Sequence, residues 1–227
     1  MSLSNDAKSQ LLYALGRPSA ATEISNAINA GSAGYDASST HTYGTAATLT
    51  GLSVVEKGSG AVHKTIITLD EVALTITEVE AASSAADAAF GSQLLYTFPQ
   101  AHILLLGSHM IFPLGDIVGG TGIAADADLE FGVGTTARVE AANFDLHGTT
   151  TDDNIVPVDV ATQFVGSSSA AIESSQSTAV LFSDGSASAV KAYLNFISAA
   201  DSAEVTATGT ITVSGTITMV WTALGDD

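Results

Sequence analysis

Residues 205–221 read VTATGTITVSGTITMVW, and this stretch decides the fold. Odd positions carry Val205, Ala207, Ile211, Val213, Ile217, Met219 and Trp221, while even positions are almost all Thr or Ser. A two-residue period puts alternate side chains on opposite faces of a strand. One face here is apolar. The other is Thr, which is β-branched, polar and uncharged, and so suits a strand. As one strand the run would span roughly 55 Å, against a usual strand of about 5–6 residues. Either Gly209 and Gly215 bend it between two sheets, or it is a long rib of a sandwich or shared sheet. Both readings describe a scaffold rather than a catalyst.

The rest of the chain extends this β reading. Leu49 to Lys57 and Val62 to Thr77 read as strands around the turn KGSG. The second changes phase at Asp70–Glu71, which predicts a bulge or tight turn. Leu94 to Phe98 and His102 to Phe112 are apolar on both faces and read as central strands. Leu129, Phe131 and Val133 alternate with acidic or small residues, and Ile155 to Val165 is strand-like. Asp184–Gly185 lies between two alternating runs, the second with Val190, Ala192, Leu194 and Phe196 in phase, and predicts a hairpin. Eight to ten strands at these spacings predict an all-β, jelly-roll-like β-sandwich over residues 46–227.

Residues 1–45 read differently. Leu11, Leu12 and Leu15 form one helical stripe, stopped by Gly16 and Pro18. Ile24 and Ile28 lie four apart in a second short helix ended by Gly31. Helices this short need a partner surface, so the segment is expected to be an N-terminal arm that docks elsewhere.

Composition narrows the function. The 227 residues contain no cysteine, which removes disulfides, zinc-thiolate centres and cysteine nucleophiles. Six Lys and Arg against 24 Asp and Glu give a net charge of −18, which is repelled by nucleic acid and anionic membranes. Only 13% of residues are charged and 46% are hydrophobic, the signature of a folded chain. The start lacks the pattern of a secretory leader, and no apolar run is long enough to span a bilayer.

Candidate chemistry is sparse. Asp126, Asp128 and Glu130 are two apart, which could hold Ca²⁺ from a loop but makes an acidic face on a strand; the alternation favours the strand. Asp152 and Asp153, beside Asn154, form a second acidic cluster, read as a solvated loop of turn formers. Histidines 41, 63, 102, 109 and 147 show no ligand spacing, and His102 and His109 fall on opposite faces of a regular strand. No G-x-S-x-G is present, and the glycines at 119, 120 and 122 match no phosphate loop. Paired carboxylates with 6% aromatics and one Trp, itself in core phase, make a poor glycosidase. No cofactor is expected.

Three stretches carry a resemblance: ATLTGLSVVEKGSGAVHKTIITLDEVALTIT, LLYTFPQAHILLLGS and TATGTITVSGTITMVWTALGDD. Together they resemble the capsid cement, or decoration, proteins of tailed bacteriophages, over about residues 46–227. The resemblance implies an all-β body and no enzymatic activity. It also implies a homotrimer on the virion exterior, bound to the major capsid protein, with neither nucleic acid nor membrane as partner. Leu11, Leu12, Leu15, Ile24 and Ile28 are then the expected arm contacts, on capsid or sister subunit. Two alternatives stay open: another virion component of the tail or head fibre, and a carbohydrate-binding jelly-roll module.

Overall fold

The computed structural model describes residues 44–58, 62–77, 89–113, 117–119, 128–139, 146, 151–158, 163–164, 172–182, 188–198, 205 and 207–224. The arm residues Leu11, Leu12, Leu15, Ile24 and Ile28 lie outside them, as do Asp126 and the Asp184–Gly185 turn. Among the described residues there is no helix. The strands are β1 (Thr45–Ala46), β2 (Leu52–Lys57), β3 (His63–Ile76), β4 (Phe90–Thr97), β5 (His102–Phe112), β6 (Ile117–Gly119), β7 (Asp128–Gly134), β8 (Gln163–Phe164), β9 (Ile172–Gln176), β10 (Val180–Phe182), β11 (Lys191–Ser198) and β12 (Gly209–Leu224).

These strands make two antiparallel sheets. The smaller runs β1-β4-β11-β7-β8 and the larger β10-β5-β12-β3-β2, with β6 also on β12 and β9 also on β5. Strand β9 pairs with Ser108–Phe112 and β10 with Ile103–Leu105, so together they form one interrupted edge along β5. The body is therefore β3-β12-β5-β9/β10 packed on β4-β11-β7-β8. This is the strand order of a jelly roll, in which successive strands cross repeatedly between the two sheets. The expected fold class is the one observed, with more strands than the eight to ten anticipated.

The core lies between the sheets. Ile211, Val213, Ile217, Met219 and Trp221 of β12 are all fully buried, so the odd phase of the terminal run faces inward from Ile211 onward, whereas Ala207, before the strand begins, is exposed. Aromatic contacts join the layers: Phe112 on β5 meets Phe131 on β7 edge-on at 5.3 Å, and Phe98 meets Trp221 edge-on at 5.3 Å. Burying a Trp removes roughly 200 Å² from water, worth at most about 5 kcal/mol at about 25 cal/mol per Å².

The long terminal run is a rib of a single sheet, and it does not cross between sheets. It is accommodated by a crease. Residues 70 and 71 of β3 both stand opposite Ser214, between the pairs Leu69–Gly215 and Val72–Val213. Glu71 takes φ 52°, and its N–H donates to the Ser214 hydroxyl at 2.9 Å. On one side Gly51 turns at φ 82° and accepts from the Asp70 N–H; on the other, β5 ends at Phe112 and Pro113 follows. Gly215 sits on this line at φ 157°, and a Cβ there would run into the Ile111 carbonyl and the Phe112 ring. The phase change at Asp70–Glu71 is thus a bulge, one of the two expected forms.

Two sequence expectations are corrected. Residues 180–198 are not a hairpin: β10 joins the larger sheet, and β11 joins the smaller one between β4 and β7. The segment is an arch between layers, although Ala192, Leu194 and Phe196 face the core as expected. His102 and His109 share the outward face of β5. The register shifts so that Leu106 is an extra residue between the pairs Leu105–Trp221 and Gly107–Val220, which restores the phase.

Candidate functional site

Three places gather polar side chains, and two of them are interior. The first lies where β2, β3, β4 and β12 meet. Glu56 is buried on edge strand β2, and its Oε2 accepts a 2.6 Å hydrogen bond from the Tyr96 hydroxyl. His63 Nδ1 lies 3.3 Å from Glu56 Oε1, and its ring stacks on Trp221 with centroids 4.3 Å apart. The Trp221 indole N–H donates to the Thr65 hydroxyl at 2.8 Å. Burial, and then the adjacent Glu56 carboxylate, push the Tyr96 phenol far above the ordinary tyrosine value. A proton held that tightly suits a fixed hydrogen-bond donor and does not suit a general acid working near neutral pH. The cluster ties the edge strand to the core.

The second lies on the outward side of the smaller sheet. Asn195 of β11 is fully buried and uses its whole amide. Its Oδ1 accepts from the Ser92 hydroxyl at 2.6 Å and the Arg138 N–H at 3.1 Å. Its Nδ2 donates to the carbonyls of Thr136 at 2.9 Å and Asp152 at 2.7 Å. Arg138 Nη1 donates to Asp152 Oδ2 at 3.1 Å, and Asn154 exchanges hydrogen bonds with Thr135 through both ends of its amide. Ile197 packs beneath with Leu146 and Val158 as a small satellite core. Residues 151–154 of the TTTDDN loop, read as solvated, are therefore folded down onto β7 and β11. Its acidic side chains serve as struts: Asp152 holds Arg138, and Asp153 Oδ2 accepts from the Val158 N–H at 3.4 Å.

Among the described residues no group of three metal-ligating side chains comes together, and Asp126 lies outside them. Asp128 lies at the start of strand β7 and Glu130 within it, as the alternation predicted. Glu130 Oε2 accepts from the Leu146 N–H at 3.2 Å, another tie between strand and covering segment. Sequence reading missed Asn195. Its only signal is an amide in the outward phase of an otherwise apolar strand.

The third place is the outer face of the larger sheet, which is the candidate interaction surface. The Thr phase of β12 looks outward here, flanked by outward side chains of β3 and β5. Cross-strand rows are set by register. Val55, Ile66, Thr218 and His109 form one; Ser53, Thr68, Thr216 and Ile111 form the next. Ile66, Ile111, Thr216 and Thr218 are half-buried, and Val55 is exposed. Among the described residues, charges lie only around this hydroxyl and aliphatic centre. Lys57 and Lys64 are directly opposite each other at one end. Asp70 and Glu71 stand exposed at the crease, and Glu173 meets His109 at 3.0 Å on the β9 side. A face whose centre carries no charge can pack on another protein without desolvating one.

No protein-family model and no curated protein sequence matches the chain.

Proposed function

We propose that the protein is a non-enzymatic capsid cement protein of a tailed bacteriophage, holding neighbouring capsomers together from outside the head shell. The observation that carries this reading is the outer face of the larger sheet. Strands of 11, 14 and 16 residues lie side by side there and present Thr, Ser and half-buried aliphatic side chains as a broad uncharged area. That chemistry suits protein against protein. The net charge of −18 suits a position outside the shell, away from packaged nucleic acid. The jelly-roll body supplies a rigid platform, and both interior polar clusters stiffen it.

In this reading the body assembles as a homotrimer over capsid symmetry axes. Residues 1–45 then act as the arm that engages the major capsid protein, through Leu11, Leu12, Leu15, Ile24 and Ile28. Clamping is non-covalent and needs no cofactor: apolar burial by the arm links subunits that internal pressure would separate. The test is co-sedimentation with heads assembled from a tailed-phage major capsid protein. The full chain binds and raises the temperature at which the heads rupture. Deleting residues 1–30 abolishes binding while the β body keeps its circular-dichroism spectrum; full retention of binding would sink the arm assignment. Clear hydrolysis of a glycan would overturn the non-enzymatic reading.

A further inference from the structure

The outer face of the larger sheet has a charge arrangement that its uncharged centre leaves unexplained. Lys57 and Lys64 are cross-strand partners on β2 and β3, and both point outward because the neighbouring pair, Glu56 and Thr65, is buried. Like charges directly opposite each other destabilise a strand pair. No ion pair to either lysine occurs among the described residues. Only six Lys and Arg exist in the whole chain, so placing two of them side by side is a marked concentration of positive charge.

Six and seven residues further along β3, on the same face, Asp70 and Glu71 stand exposed at the crease. They too have no ion pair among the described residues. The two charge pairs are separated by roughly 20 Å of strand at about 3.3 Å per residue. Between them lie Val55, Ile66, Thr68, Thr216 and Thr218, with no charge. One face thus carries a cationic end, a neutral centre and an anionic end.

We propose that this face docks a second copy of the same chain, with Lys57 and Lys64 of one copy against Asp70 and Glu71 of the other. The occupant follows from self-complementarity: each copy presents both the charge pair and its opposite on one surface. An unrelated partner would need to match only one end. Contact brings the four charges of each copy against their opposites on the other and covers the aliphatic side chains between them. It also offsets the like-charge cost that each copy bears alone. Elsewhere the net negative charge makes two copies repel, so this patch selects one mode of approach.

A face that meets itself gives a two-fold pair, so the inference goes beyond the cement reading: the contact joins chains of different trimers rather than closing the three-fold ring, and it is tested separately from capsid binding. The measurement is solution mass of the full chain by analytical ultracentrifugation in 20 mM salt and again in 500 mM. The wild type is expected to associate at low salt and to weaken at least tenfold at high salt, as exposed charge contacts are screened. K57E/K64E and D70K/E71K are each expected to lose this salt-sensitive association, with unchanged near-ultraviolet circular dichroism because none of the four positions is buried. The quadruple variant K57E/K64E/D70K/E71K restores both the complementarity and the association. A monomeric wild type, association indifferent to salt, or a quadruple variant no better than either parent would overturn the proposal. Head co-sedimentation of the wild type keeps the two readings apart: a wild type that binds heads but shows no such association leaves the cement reading standing while this one fails.

Discussion

At the residue scale, two buried polar groups give sharp expectations. Asn195 satisfies four hydrogen bonds in a site closed to water. Asn195→Ala leaves two carbonyls, a hydroxyl and an N–H without that partner. Unsatisfied buried groups cost about 1–3 kcal/mol each, and partial relaxation points to a total loss of about 3 kcal/mol. Urea unfolding would measure it, and a loss under 1 kcal/mol would mean that water reaches the site. Tyr96 has the second role. Its raised pKa makes the native state hold this proton more tightly than the unfolded chain does. Stability from this group is therefore complete below the unfolded value near 10 and is lost as pH rises above it, by about 1.4 kcal/mol per pH unit. Tyr96→Phe lowers stability at neutral pH, because Glu56 loses its phenol donor, yet it flattens the alkaline slope. Denaturant midpoints between pH 9 and 11.5 would show both effects.

At the element scale, the crease is the feature to probe. A 16-residue strand stays in one sheet because its neighbours break on one line with it: Gly51, Asp70–Glu71, Ser214–Gly215 and the end of β5. Gly215→Ala places a methyl group against the Ile111 carbonyl and Phe112. We expect a destabilisation of about 2–3 kcal/mol, the usual cost of overpacking a tight site, read as a lowered thermal midpoint. An unchanged midpoint would mean that the crease yields freely. Part of this was legible beforehand. The phase change at Asp70–Glu71 and the glycine at 215 are local marks of a bend. The arch between β10 and β11 was not legible, because Asp-Gly between alternating runs carries the same local signal whether the next strand pairs with its predecessor or crosses to the opposite sheet. Leu106 was equally opaque: a single extra residue inside an apolar run leaves no gap in the pattern, yet it brings His102 and His109 onto one face.

At the scale of the whole molecule, the net charge of −18 governs behaviour in solution. Self-repulsion destabilises a compact chain, and salt screens it over about 10 Å at 0.1 M. At a concentration low enough to keep the protein monomeric, raising salt from 10 to 300 mM should lift the thermal midpoint by a few degrees. A fall instead would mean that attractive surface pairs outweigh the net repulsion. The same salt step weakens the association proposed for the outer face, so the two responses have opposite sign and can be separated by protein concentration.

The sequence by itself determined the all-β class, the inward phase of β3, β7, β11 and β12 and the overall acidity, because these depend on period-two patterning and on counting. The register that sets Lys57 opposite Lys64 was not legible in it: it is fixed by the pairing of β2 with β3. Tertiary structure decided which strands pair, and with that the jelly-roll order. It also decided that residues 151–154 fold onto β7 and β11, and that Asn195 and Glu56 are interior. These outcomes rest on partners up to 158 residues away, as between His63 on β3 and Trp221 on β12. A polar side chain reads the same in sequence whether it meets water or a buried partner. Only the packing of the two layers distinguishes the two cases, by removing the water.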